Sequence, residues 1–191
     1  IIGCGMIAEF HAQAIKHMKT GELLCVYSRN LKNAQKLCKN FPAKIYTDIK
    51  EFLKHPGLDV VTVATPSGAH LEPCLLAAKA KKHIICEKPL EVTLERVDKI
   101  IEACKKNKVC LAGIFPRRFN EATEVFKKAV DQKRLGRITM ADAYIKWYRP
   151  QSYYDSGAWR GTWALDGGGA LMNQSIHTVD LLYHLVGDVE S

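Results

Sequence analysis

Ile1-Ile2-Gly3-Cys4-Gly5-Met6-Ile7-Ala8, at the head of the chain, is the stretch on which the fold turns. Two β-branched residues run into a Gly-x-Gly-x-x-Ala turn, and helical periodicity follows over residues 7–18. In such a turn the first glycine permits the tight reversal and the second lets the backbone approach a pyrophosphate. A small third residue allows close helix–strand packing, with phosphates seated on the helix N-terminus. The spacing predicts a dinucleotide site to which Gly3, Gly5, Met6 and Ile7 contribute; a purely structural turn is the alternative. Only the end of the first strand is present, so the chain reads as truncated at its start.

Working outward, strands and helices alternate. Strands are expected at residues 23–27, 44–46, 58–64, 83–86 and 109–114, and helices at 31–41, 48–54, 70–81 and 94–107. Residues 58–64 (LDVVTVA) form a nearly unbroken apolar run, the mark of a parallel strand covered on both faces. The pattern predicts an α/β Rossmann domain, a doubly wound parallel sheet over residues 1–117. From residue 118 to 191 the register changes. A helix is expected over 120–132, a half-buried strand of a second sheet over 137–147, an aromatic- and arginine-rich loop over 149–169, and a helix over 170–186. One strand cannot make a sheet, so this second domain also reads as incomplete.

The 191 residues are 47% hydrophobic, enough for a sizeable core, and no apolar run reaches the ~18 residues of a membrane span. Seven scattered cysteines without a CxxC pair read as buried small hydrophobes in a reducing cytoplasm, with no metal site expected. The net charge of +8 is dispersed over helical faces, so a solvated surface is the reading and a nucleic-acid partner is not expected. A signal peptide is not expected from the strand and glycine turn at the head of the chain.

The remaining candidates lie at later strand ends and in the second domain. At the end of the second strand an acid would grip the ribose 2′-hydroxyl of NAD; Ser28-Arg29-Asn30 stands there instead. Ser28 can bond a phosphate and Arg29 can pair with the 2′-phosphate of NADP, or stack on adenine with either cofactor. Thr65-Pro66 ends the fourth strand at the same sheet edge, where the chain can pass beside the cofactor's ribose. His70, which opens the following helix, is a cofactor contact or a plain first-turn residue. Glu87-Lys88-Pro89 follows the strand ending at Cys86. An ammonium group at that edge suits contact with an oxygen being oxidised or reduced, the alternative being a surface lysine in a proline turn. Gly167-Gly168-Gly169 precedes a helix on which Asn173 and His177 are four apart. His177 suits a general base and equally a core histidine. Aromatics and arginines between Tyr148 and Trp163, with Arg117 and Arg118, suit a sugar ring bearing a carboxylate or phosphate, or an interface.

Together these motifs resemble the Gfo/Idh/MocA oxidoreductases, in order and spacing over essentially the whole chain: GxGxxA, Ala64-Thr65-Pro66, Glu87-Lys88-Pro89, and the glycine triplet followed by Gln174-x-x-His177-x-x-Asp180. The resemblance implies a Rossmann domain followed by the start of an α+β domain with an open, mostly antiparallel sheet that often mediates homodimers or homotetramers. It implies a NAD or NADP cofactor held by the residues above together with Glu87 and Lys88, and a cis Lys88-Pro89 bond. Lys88 would orient the substrate hydroxyl and the nicotinamide ribose, and His177 would act as base. Arg118, Tyr148, Arg160, Asn173 and His177 are the expected substrate contacts. Many members carry Asp where this chain has Asn173, an amide that cannot relay a proton and is read as a substrate hydrogen-bonder. The segment from Tyr153 to Leu182 is most similar to the branch that oxidises C3 of UDP-N-acetylglucosaminuronic acid. Related branches act on inositols, free glucose or other nucleotide sugars. A cofactor-binding sensor of the same fold is the non-catalytic alternative, and the stretch alone is expected to be poorly soluble or inactive.

Overall fold

A computed structural model of the chain describes residues 1–188. It divides into two compact units, the first being Ile1–Ile114 and the second beginning at Phe115.

The first unit is built on parallel strands. β1 (Cys25–Tyr27) pairs with β2 (Lys44–Tyr46), and β3 (Val60–Val63) pairs with β4 (His83–Cys86), which pairs with β5 (Leu111–Gly113). The two groups are joined by the first residues of the chain. Ile2 bridges Tyr27 on one side and Val63 on the other. Its N–H donates to the Thr62 carbonyl at 2.7 Å, and its own carbonyl accepts from Ala64 N–H at 2.8 Å. The order is therefore β2-β1-Ile2-β3-β4-β5. The chain leaves the centre toward β2 and then returns to the other side, which places a topological switch point at the carboxyl ends of Ile2 and β3.

Period-2 alternation in the strands decides which side chain meets which helix layer. Ile2, Cys25, Val61, Val63, Ile84 and Cys86 enter one core with Phe52, Cys74, Ala77, Ile100 and Cys104. These last come from α3 (Ile49–Leu53), α4 (Leu71–Lys79) and α5 (Leu94–Asn107). Their sequence neighbours Ile1, Val26 and Ala64 enter a second core with Ala8 and Ala12 of α1 (Met6–His17) and Ala34 and Leu37 of α2 (Leu31–Asn40). Both faces are covered, which is why the strands read as unbroken apolar runs. The expected doubly wound sheet is present: β2 and β4 have the expected bounds, and β1, β3 and β5 are two or three residues shorter than expected. All seven cysteines are free thiols and five are buried.

The second unit contains α6 (Glu121–Asp131), the short α7 (Gln151–Asp155) and α8 (Trp163–Asp166), a π-helical turn at Leu171–Ser175, and α9 (Ile176–Val186). Arg117 and Arg118, in a 3-10 turn at Pro116–Phe119, fasten it to α9. Arg117 Nη1 donates to Thr178 Oγ1 at 2.8 Å. Arg118 forks onto Asp180, with Nε donating to Oδ2 at 2.8 Å and Nη2 to Oδ1.

Two expectations are corrected in this unit. Residues 137–147 are not a strand: Met140 and Tyr144 are about four-fifths exposed, and no other strand lies among the described residues of this unit to complete a ladder. Alternation supplies a face but not the hydrogen-bond partner that a strand requires. The loop expected over 149–169 contains α7 and α8, and the helix expected over 170–186 begins as a π turn. No helix among the described residues is long and apolar enough to cross a membrane.

Candidate functional site

The switch point in the first unit is shaped by its two glycines. Gly3 has φ +92°, and a Cβ there would stand 2.7 Å from the Ala64 carbonyl oxygen and 2.9 Å from its carbon. Only glycine lets this strand end lie so close to β3. Gly5 is the opposite case, since a Cβ there would meet nothing within 4 Å. That open space lies at the N-terminus of α1, where Gly5 is the N-cap and no side chain caps the helix.

The other helices of this unit are capped by side-chain oxygens. Asn30 Oδ1 caps α2, Asp48 caps α3, Glu91 Oε1 accepts the Leu71 N–H at the start of α4, and Thr93 caps α5. Within the first unit, α1 alone has no side-chain oxygen on its opening N–H groups among the described residues. Its first N–H groups and the positive end of its dipole are left for an anion, and Met6 beside them is exposed. The residues present therefore fit a dinucleotide pyrophosphate at Gly3–Ile7.

Around this turn the other expected cofactor residues are placed as follows. Ser28 is buried and its Oγ accepts the Asn30 N–H at 3.1 Å, shaping the approach to α2; Arg29 beside it is exposed. The Thr65 hydroxyl donates to the Ala69 carbonyl at 3.0 Å and closes the 3-10 turn at Ser67–Ala69 that Pro66 introduces. His70 opens α4 as its N-cap residue. Its ring is 1% exposed, with Nε2 2.9 Å from the Thr65 carbonyl and Nδ1 2.9 Å from the Pro89 carbonyl. It is a strut that ties the end of β3 to the loop after β4.

That loop carries Lys88. The Lys88-Pro89 bond is cis, as the resemblance implies. Lys88 is half-buried, and Glu87 before it is buried. The Glu87 N–H extends the β3–β4 ladder by donating to the Val63 carbonyl at 3.0 Å. Its carboxylate accepts the Lys88 N–H at 3.1 Å and meets His11 Nε2 at 2.9 Å. Burial pushes the Glu87 carboxyl up. The His11 hydrogen bond and charge, with the Lys88 N–H, outweigh that and hold the group below its ordinary range. His11 was not among the sequence candidates. Its partner is 76 residues away, and no local spacing reports such a contact.

In the second unit the glycine triplet is left-handed throughout, with φ of +77°, +142° and +64° at Gly167, Gly168 and Gly169. It reverses the chain between α8 and the π turn. Asn173 lies in that turn, whose wider i→i+5 bonding departs from the simple α-helical step expected between Asn173 and His177. Asn173 Nδ2 donates to Asp166 Oδ1 at 2.7 Å, and Gly161 N–H donates to Oδ2 at 2.8 Å. Asp166 is 1% exposed and fixes which end of the amide is the donor. Sequence reasoning passed over it; its place directly before the triplet was the available signal. The His177 ring stands edge-on to Phe115, with centroids 6.4 Å apart.

The arginines and aromatics form a connected ladder. Arg117 lies over Trp147 at 4.6 Å, and Arg149 lies between Trp147 at 5.7 Å and Tyr153 at 5.1 Å. Arg160 lies over Tyr153 at 4.6 Å and Trp159 at 5.6 Å. Stacking holds each guanidinium by its face and leaves N–H edges for planar anions. Arg160 also donates through Nη1 to the Tyr153 carbonyl and Ser156 Oγ, while its buried Nε has no protein partner among the described residues. Tyr148 is 83% exposed; of the two arginines Arg117 and Arg118, the first joins the ladder and the second is held by Asp180.

Residues 1–115 match the oxidoreductase family with NAD-binding Rossmann fold, Gfo/Idh/MocA, and residues 124–191 match the C-terminal domain of the same family. The chain belongs to the Gfo/Idh/MocA family. It is 30% identical to myo-inositol 2-dehydrogenase of Thermotoga maritima over 98% of its own length and 54% of that protein's. It is 28% identical to glucose-6-phosphate 3-dehydrogenase of Bacillus subtilis, over 97% of this chain and 52% of that one. Among solved structures, the WlbA dehydrogenase of Bordetella pertussis, in complex with NADH and UDP-GlcNAcA, superposes with a TM-score of 0.95 at 38% identity. The match covers all of this chain and 55% of that one. The chain thus spans about half the length of the curated relatives it matches.

Proposed function

We propose that the whole protein of which this chain forms part is a nicotinamide-dependent sugar dehydrogenase acting on an anionic nucleotide sugar, with C3 of UDP-N-acetylglucosaminuronic acid as the specific reading. The observation that carries the substrate class is the ladder Arg117–Trp147–Arg149–Tyr153–Arg160–Trp159. Three oriented guanidinium groups suit a diphosphate and a carboxylate by forked hydrogen bonds, and their aromatic partners suit a sugar or base face. A neutral cyclitol needs no such density of cations. The 38% identity to a structure holding UDP-GlcNAcA supports the same reading.

When bound, the dinucleotide supplies the hydride acceptor or donor. Gly3, Gly5, Met6 and Ile7 would hold its pyrophosphate at the α1 N-terminus, with Ser28 and Arg29 toward the adenosine end and Thr65, Pro66 and Lys88 toward the nicotinamide. The Lys88 ammonium stabilises negative charge developing on the reacting oxygen. His177 takes the hydroxyl proton during oxidation and returns it during reduction. Asn173, oriented by Asp166, hydrogen-bonds the sugar. The absence of an acid at Ser28–Asn30 and the exposure of Arg29 favour NADP, so the test is run with both dinucleotides.

With the complete reading frame expressed, absorbance of the reduced nicotinamide is followed with UDP-N-acetylglucosaminuronic acid, UDP-glucose and myo-inositol. The expected result is a kcat/KM for the amino-uronate at least about tenfold above both comparators, the least that one extra forked anion contact would give. Turnover with myo-inositol above that with the nucleotide sugars would move the protein to the inositol-dehydrogenase reading. Dinucleotide binding without turnover of any of the three would favour a cofactor-binding sensor.

A further inference from the structure

We propose that His11 and Glu87 form a positioning pair that transmits the placement of the cofactor-bearing helix to Lys88. The inference deepens the dehydrogenase reading and rests on its assignment of Lys88 to the reacting oxygen and the nicotinamide ribose.

Three features of the first unit carry it. The pair is enclosed: the His11 and Glu87 side chains are 10% and 11% exposed and meet at 2.9 Å. It is also fully used, since one Glu87 oxygen faces His11 Nε2 and the other accepts the Lys88 N–H. Its two ends lie on the two elements that must agree for hydride transfer. His11 projects from the second turn of α1, whose uncapped N-terminus opens at Gly5. Glu87 is held on the other side by its own N–H on the Val63 carbonyl, so its backbone belongs to the sheet. Its carboxylate therefore spans from helix to loop, with Lys88 as the next residue. The same contacts give Glu87 a task other than touching the cofactor.

Positioning matters because a misplacement of about 1 Å can cost about 10²-fold in rate. Removing His11 leaves Glu87 buried without its partner, and the carboxylate then turns away from the geometry that holds the Lys88 N–H. Cofactor binding, which depends on Gly3, Gly5 and the α1 N-terminus, is not altered by that movement.

The test uses the complete protein carrying His11→Ala, Glu87→Ala, the double substitution, and His11→Gln, which keeps an N–H donor for the carboxylate. NADH affinity is read by fluorescence. The exposure of Lys88 is read separately, as its rate of acetylation by acetic anhydride measured by mass spectrometry with and without saturating NADH. We expect kcat to fall about 10- to 100-fold in each alanine variant, with NADH Kd within about threefold. The double variant should be no worse than the more affected single one, because the residues act as one unit, and His11→Gln should recover most of the loss. Bound NADH should slow acetylation of Lys88 in the parent protein and in His11→Gln, and should do so less in the alanine variants. Losses that multiply in the double variant, or Lys88 protection that is unchanged in all variants, would overturn the proposal. Should no sugar be turned over by the parent protein, the dehydrogenase reading fails, and the acetylation pattern still decides the coupling on its own.

Discussion

Lys88→Met is expected to lower kcat by about 10³-fold while leaving NAD(P)H affinity within about threefold. A positioned charge aimed at an oxygen that becomes anionic acts mainly in the transition state, and removing one such donor typically costs about 10²- to 10³-fold. A thousandfold loss corresponds to about 4 kcal/mol of barrier. Met keeps the length and the apolar stem but removes the ammonium. Around Lys88, Glu87 holds the backbone N–H, and His70 fixes the loop through the Pro89 carbonyl. The dinucleotide fit rests on Gly3, Gly5 and the uncapped α1. Single-turnover absorbance and a fluorescence titration separate the two effects. A drop in kcat matched by an equal loss of dinucleotide affinity would make Lys88 a binding residue; unchanged turnover would remove it from the chemistry.

Arg160→Ala is expected to raise KM for the nucleotide sugar about 30- to 100-fold, with kcat changed less than about fivefold. A hydrogen bond to a charged group contributes about 1.5–3 kcal/mol, which is more than tenfold in affinity. The Arg160 guanidinium is stacked on Tyr153 and Trp159, and its buried Nε has no protein acceptor among the described residues. Arg160→Lys should not rescue, because a point charge reproduces neither the stack nor the fork. Arg118→Ala provides the contrast. Its guanidinium is forked onto Asp180 of α9, so the loss should appear in the melting temperature of the second unit before it appears in KM. Steady-state kinetics beside thermal unfolding distinguish the two arginines. Equal KM effects at both would deny the ladder its special place.

Much of the first unit was legible in sequence because its signals are local or strictly periodic. A strand covered on both faces must be apolar throughout, and residues 58–64 are; the turn at Gly3 needs a residue without Cβ, and the backbone there has φ +92°. The contacts that organise the site are of another kind. His11 with Glu87, and His70 with Pro89, join residues 76 and 19 positions apart, and each histidine in isolation reads as an ordinary helix residue. The second unit was harder for a physical reason. Residues 137–147 alternate as a strand should, yet a strand needs a ladder, and none is formed among the described residues. The string of aromatics and arginines carried composition but no periodicity. The two short helices and the stacked order of Arg117, Arg149 and Arg160 therefore emerge only in three dimensions.

In the proposed reaction a hydride leaves a ring carbon of an anionic nucleotide sugar. The most direct measurement follows that hydride. UDP-N-acetylglucosaminuronic acid carrying deuterium at C3 is incubated with the complete protein and oxidised dinucleotide, and the reduced cofactor is weighed by mass spectrometry. One deuterium in every reduced nicotinamide is the expected result. Reduced cofactor without deuterium would place the reaction at another carbon, and no reduction despite bound dinucleotide and sugar would contradict the dehydrogenase assignment itself.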